Sequence, residues 1–153
     1  MQDPRDDRLA AFADSVGALW VRLGGTATAG RIFGYLLTRD EPAGLVEIVH
    51  DLGVSKSGVS VATRQLEAGG ALRRIHLRGS RRVAYEPVEN LEPMIAAAFT
   101  RIGMVLDRLV EGERLLPAGP ARDRIGHMSD LFLFISSECE SMLARWRSDL
   151  RQP

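Results

Sequence analysis

The chain has 153 residues, of which 45% are hydrophobic, 26% charged and 6% aromatic, and its twenty basic and twenty acidic side chains cancel to a formal charge of zero. That is the composition of an ordinary globular domain, and at this length folding buries roughly 68–70% of the unfolded chain's surface, so no disulfide or structural metal is needed to hold it. Cys139, the single cysteine, excludes an intrachain disulfide and fits a reducing cytoplasm; the apolar runs Met94 to Phe99 and Leu131 to Ile135 are too short to span a membrane, and the acidic start Asp3, Asp6, Asp7 is not that of a signal peptide.

From Leu9 to Leu23 the residues Leu9, Phe12, Ala13, Val16, Leu19, Trp20 and Leu23 recur every three or four positions, which predicts an amphipathic helix ended by Gly24-Gly25. A second helix is expected over Ala29 to Arg39, with Ile32, Phe33, Leu36 and Leu37 inward and Pro42 and Gly44 beyond its end. Leu45, Ile48, Val49 and Leu52 then mark a short third helix closed by Gly53. Ser55 is a plausible N-cap for a fourth, because its hydroxyl can accept from amides left open in the first helical turn. Val59, Ala62 and Leu66 form the inner stripe of this helix, and Lys56, Ser57, Ser60, Thr63 and Arg64 are expected on the opposite, small and cationic face. Two helices joined by a short turn containing glycine predict a helix-turn-helix whose second member is the candidate recognition helix.

The stretch Leu72 to Pro87, with Gly79-Ser80 between two β-like runs, predicts a hairpin. A two-residue loop would pair Leu77 with Arg82. The preferred register is one residue longer and pairs Leu77 with Val83 and Ile75 with Tyr85, because it gathers apolar side chains on one face and leaves Arg74, His76, Arg78 and Arg82 on the other. Beyond Pro87, Leu91, Ile95, Ala98, Ile102, Val105 and Leu109 predict another helix, broken by Pro117, Gly119 and Pro120. In the last helix Ile125, Met128, Phe132, Ile135, Cys139, Met142 and Trp146 alternate by three and four, an a/d seam. Leu131, Leu133, Phe134 and Leu143 widen that seam beyond what one intrachain neighbour would cover, so a homodimer is expected.

The charge is unevenly spread. Between Ser55 and Tyr85 the basic residues are Lys56, Arg64, Arg73, Arg74, Arg78, Arg81 and Arg82, against Glu67 alone, as expected of an electrostatic footprint on double-stranded DNA. The major groove, about 12 Å wide, admits one helix. Ser55, Lys56, Ser57, Gly58, Ser60, Thr63 and Arg64 are therefore the expected groove residues, and Arg78, Arg81 and Arg82 would meet the adjacent backbone or minor groove. The alternative is a basic surface on a winged-helix protein-interaction module without DNA binding.

The run Gly30-Arg31-Ile32-Phe33-Gly34-Tyr35-Leu36-Leu37, then Val54-Ser55-Lys56-Ser57-Gly58-Val59-Ser60, then Leu66-Glu67-Ala68-Gly69-Gly70 and the wing with Gly79-Ser80-Arg81-Arg82 and Tyr85, resembles the GbsR-like branch of the MarR superfamily. The resemblance runs over about residues 5 to 150 in element order, with its specific motifs between 30 and 85. It implies a homodimeric winged-helix transcriptional regulator whose terminal helices form the dimer interface, and it does not imply an effector. The protein is expected to act in the cytoplasm, as a repressor on an inverted-repeat operator, with release by a small-molecule effector left open. The expected architecture is mainly α with a small β-hairpin wing: a winged helix-turn-helix over 28–88, flanked by dimerisation helices over 5–25 and 90–150.

Other chemistry finds little footing. His50, His76 and His127 lie far apart in sequence and no Cys-x-Cys or paired His/Asp spacing is present, so no metal and no cofactor is expected. No Gly-x-Ser-x-Gly, P-loop or dinucleotide fingerprint occurs, so no enzyme is expected. Cys139 on the last seam is expected to pack as a small hydrophobe rather than act as a redox switch. Trp20, Phe33, Tyr35, Phe99, Phe132, Phe134 and Trp146 are expected mainly in core packing, with an effector cavity as the alternative. The residues assign no effector site.

Overall fold

The structure is a computed structural model that describes residues 4–76 and 82–149. Helices α1 (Pro4–Arg22) and α2 (Ala27–Leu37) come first, followed by a short strand β1 (Ala43–Gly44), α3 (Leu45–Leu52), α4 (Lys56–Ala68), strands β2 (Leu72–His76) and β3 (Val83–Pro87), and long helices α5 (Glu92–Leu115) and α6 (Pro120–Asp149). The chain divides into two units, Met1–Leu91 and Glu92–Pro153.

In the first unit α1 lies against α2 through small residues. Ala13 and Gly17 are buried, and a Cβ at Gly34 would stand 2.9 Å from Val16 Cβ and 3.0 Å from Ala13 Cα, so only glycine lets the helices approach this closely. The Trp20 and Phe33 rings meet at 5.2 Å beside the crossing. Phe12, Leu19 and Leu23, expected to face inward, are exposed, because so narrow a seam covers only part of the α1 stripe. Thr26 caps α2, its hydroxyl accepting from the Ala29 amide at 3.2 Å. The core below is made by Ile32 and Leu36 of α2, Ile48 of α3 and Val59, Ala62 and Leu66 of α4. Burying each large aliphatic side chain contributes about 1.5–3 kcal/mol.

The sheet has three antiparallel strands in the order β1-β3-β2, one more than the expected hairpin. Its register also differs. Ile75 pairs with Ala84 and Arg74 with Tyr85, the alignment that a two-residue loop implies, rather than Ile75 with Tyr85. Two contacts accompany this register: Arg73 Nε donates to Glu86 Oε1 across the strands at 2.5 Å, and the Arg74 guanidinium lies 5.8 Å from the Tyr85 ring centre. Since β3 is the middle strand and both Ala84 and Tyr85 are buried, sorting apolar side chains onto one face does not decide its alignment.

The second unit is the antiparallel pair α5 and α6. Among its described residues only Ser129 is buried, and its hydroxyl donates to the Ile125 carbonyl at 3.0 Å. On α6 the seam residues Ile125, Phe132, Ile135 and Cys139 are half-buried, while Leu131, Phe134 and Trp146 are 56%, 63% and 50% exposed. No helix of the described residues is long and apolar enough to cross a membrane.

Candidate nucleic-acid interface

The geometry of α3 and α4 begins with the turn between them. Gly53 ends α3 at φ 61°, a left-handed conformation that a side chain disfavours, and the chain re-enters a helix within three residues. Ser55 then caps α4: its backbone is extended, and its hydroxyl accepts from the Gly58 amide at 3.0 Å and lies 3.2 Å from the Ser57 hydroxyl. This confirms the expected N-cap and fixes where the first turn of α4 presents Lys56 and Ser57, both exposed.

Polar contacts hold α3 in place from the α2 side. The Tyr35 hydroxyl donates to Asp51 Oδ2 at 2.6 Å and accepts from Arg39 Nη1 at 2.8 Å; Arg39 also pairs with Glu47, and its guanidinium lies over the Tyr35 ring at 5.1 Å. His50 Nδ1 lies 2.8 Å from Asp51 Oδ1. Burial alone would raise the Asp51 carboxyl, but hydrogen bonds from His50 and Tyr35 and the nearby charges of His50 and Arg39 outweigh it and hold the group below its ordinary value. Burial first, then the bond to Asp51, pushes the Tyr35 hydroxyl well above its ordinary value. Arg31 pairs with Asp14 at 2.6 Å and reaches the Leu52 carbonyl at 3.4 Å, completing the join between α1, α2 and the end of α3. Arg31, Arg39, Glu47 and Asp51 were not singled out from the sequence as positioning residues; the signal available was the i, i+4 spacing of Glu47 and Asp51, which places that pair on one face of α3.

Seen from solvent, α4 presents Lys56, Ser57, Val61, Arg64 and Gln65, with Ser60 and Gly58 half-buried. Thr63 does not belong to this face. It is fully buried, and its hydroxyl donates to the Val59 carbonyl at 2.9 Å, so an internal bond satisfies it and it serves the core. The reason is helical phase: Thr63 follows Val59 by four residues and therefore sits above it on the inner side. Arg64 Nε donates to the Ser60 carbonyl at 3.0 Å. Val61 and Gln65, absent from the expected groove residues, lie on the exposed side.

The basic stretch is less bare than its sequence suggests. Arg73 pairs with Glu86 and lies 3.9 Å from Glu89, and Arg74 pairs with Glu67 at 3.2 Å. Glu86 and Glu89 fall just past the stretch that was counted, and the hairpin folds them back onto it. Lys56 and Arg64 form no salt bridge among the described residues. Arg82 is exposed, whereas Arg78 and Arg81 lie outside the described residues, as does the turn at Gly79-Ser80.

No family model matches the sequence, and no curated protein sequence matches it either. Among solved structures, the chain is similar to one described as the crystal structure of a transcriptional regulator, at 24% identity and a TM-score of 0.77, over 92% of this chain and 99% of the other. The fold is a winged helix-turn-helix. A mutant of S. aureus MepR bound to an oligodeoxyribonucleotide also matches, at 19% identity and a TM-score of 0.44, over 86% of this chain and 90% of that one.

Within the winged helix, α3 and α4 are the helix-turn-helix, and β2 and β3 are the strands of the wing. Of the expected groove residues, Ser57, Ser60 and Arg64 share one side of α4 and Lys56 lies in its first turn, whereas Ser55 is the cap and Gly58 is half-buried, where a Cβ would lie 3.9 Å from Thr28 Cγ2 of α2. Among the aromatic residues of the first unit, Trp20 and Phe33 face each other, and Tyr35 lines a cavity of about 750 Å³ between α1, α2 and α3 with Asp6, Asp7, Arg39 and His50. In the second unit Phe99 is half-buried, and Phe134 and Trp146 are exposed. No three metal-ligating side chains cluster among the described residues.

Proposed function

We propose that the chain is a DNA-binding transcriptional regulator of the MarR type, GbsR-like in its motifs, that binds an inverted-repeat operator as a homodimer. The observation that carries this reading is the solvent side of α4. Short hydroxyl side chains at Ser57 and Ser60 and the cations of Lys56 and Arg64, which form no salt bridge among the described residues, sit on a helix capped by Ser55 and seated on the buried Val59, Ala62, Thr63 and Leu66. Short side chains let the helix approach base edges, and cations at its rim neutralise phosphates. The wing arginines Arg78, Arg81 and Arg82 are assigned to the flanking backbone or minor groove. Similarity in fold to a structure described as a transcriptional regulator supports the same reading.

The dimer is supported by the second unit. A helix pair whose only buried residue among those described is Ser129 has no core of its own, and the exposed Leu131, Phe134 and Trp146 offer the apolar surface for one. Two symmetry-related recognition helices would then enter successive major grooves, about 34–36 Å apart. The regulator is read as a repressor acting in the cytoplasm, and a small-molecule effector would act by favouring one spacing of the two helices. Pairing of Arg73 and Arg74 with glutamates favours the second reading, a protein-interaction module, by reducing the exposed positive charge.

Sequencing the genomic fragments retained by the full chain tests the proposal. Enrichment of a few promoters sharing an inverted repeat with half-sites about one helical turn apart is the expected result. Retention of no fragment above background would favour the interaction module. Light scattering at micromolar concentration should give twice the mass of the chain; a monomer would remove the two-helix geometry.

A further inference from the structure

One side chain on the solvent ridge of α4 fits neither phosphate neutralisation nor hydrogen bonding to bases. Ser57, Val61, Arg64 and Ala68 follow one another at intervals of four, three and four, which lines them up along the helix opposite Val59, Ala62 and Leu66. Val61 is 47% exposed in the middle of that line, with the exposed Gln65 and the half-buried Ser60 to its sides. A single exposed valine is ordinary on a protein surface, so exposure alone decides nothing. Its place and chemistry do. Valine has no polar group for a phosphate or for the donors and acceptors of a base edge. The apolar feature that a base pair presents in the major groove is the C5-methyl group of thymine. Two further properties suit Val61 to that contact: a β-branched side chain in a helix is confined largely to one rotamer, so little freedom is lost on docking, and the short side chains of Ser57 and Ser60 leave its approach open.

Resting on the reading of α4 as the helix that enters the groove, we propose that Val61 is a specificity-determining residue that packs against a thymine C5-methyl group. Each half of the bound sequence then carries a thymine at one fixed position facing the middle of α4. Arg64, one turn further along the same ridge and bonded through Nε to the Ser60 carbonyl, addresses the neighbouring base pair.

Duplexes selected from a random pool by the full-length chain provide the test. Each thymine of the recovered consensus is replaced singly by deoxyuridine, which removes only the methyl group. One position in each half-site should lose about fourfold in affinity, the worth of one buried carbon. The Val61→Ala protein should bind the thymine and deoxyuridine duplexes equally, and its thermal midpoint should not fall, since position 61 is exposed and alanine favours helix. If no thymine is sensitive, or if Val61→Ala keeps the full sensitivity, the methyl contact is overturned, while selective binding leaves the proposed function standing. Failure to recover any duplex overturns both.

Discussion

Replacing Gly30 with alanine tests how closely α1 and α2 pack beneath the helix-turn-helix. A Cβ at position 30 would lie 2.5 Å from Trp20 Cβ and 2.8 Å from both Gly17 Cα and the Val16 carbonyl oxygen. Two of these neighbours are backbone atoms, so no rotamer change relieves them and the helices must part. A gap of about 0.5–1 Å forfeits roughly a quarter to a half of each dispersion contact, here along a crossing that includes Ala13, Val16, Trp20 and Phe33. Overpacking of this kind costs about 1–3 kcal/mol or more, and alanine's helix propensity returns about 0.8–1.0 kcal/mol. With three contacts below 3.0 Å the upper end applies, for a net loss of about 2 kcal/mol. At about 4–8 °C per kcal/mol for a domain of this size, unfolding of the first unit should fall by about 8–16 °C in calorimetry. Gly112→Ala is the control, because its Cβ would meet Ile125 Cδ1 at an ordinary 3.7 Å, and it should be neutral or stabilising. Equal stabilisation by both substitutions would refute the close approach.

Ser55→Ala removes the cap of α4 and should cost about 1 kcal/mol in urea unfolding, whereas Ser55→Asp should retain most of the stability. Asp51 has a folded-state carboxyl below its ordinary value, so the stability it contributes is present above the ordinary carboxylate range and is lost as pH falls through the lowered value. Asp51→Asn should therefore lower the thermal midpoint at pH 7, and the difference from the parent protein should close as the pH falls below the ordinary carboxylate range and through the lowered value. A difference independent of pH would show that the carboxylate charge plays no part in holding α3 to α2.

The helix-turn-helix was legible because its signals are local: Gly53 for a left-handed turn, Ser55 for a cap, and Val59, Ala62 and Leu66 for one helical stripe. The register of the wing was not, because it depends on Glu86 and Tyr85 meeting Arg73 and Arg74 and on β1 covering the other edge of β3. A two-residue strand such as Ala43–Gly44 carries no periodicity to detect. Thr63 shows the limit of grouping by residue type. Its hydroxyl made it look like a surface residue, yet the Val59 carbonyl satisfies that hydroxyl inside the core. The pairing of Arg73 was hidden for a similar reason, since Glu86 and Glu89 become its neighbours only once the hairpin closes, whereas Glu67, the partner of Arg74, lay within the basic stretch itself. The seam of α6 was legible only in part: Ile125, Phe132, Ile135 and Cys139 are half-buried, whereas Met128, Met142 and Trp146, at the same heptad spacing, are exposed in the second unit.

Fluorescence anisotropy with a selected duplex and a scrambled one, across a salt series, tests the central claim that α4 and the wing together bind DNA. Both affinities should fall as salt rises, with Arg82→Ala lowering the slope of log K against log salt by about 0.9 on both duplexes alike. Arg64→Ala or Ser60→Ala should instead narrow the gap between the two duplexes by about 1–3 kcal/mol. Binding that is undetectable at low salt, or wing and helix variants that behave alike, would contradict the account.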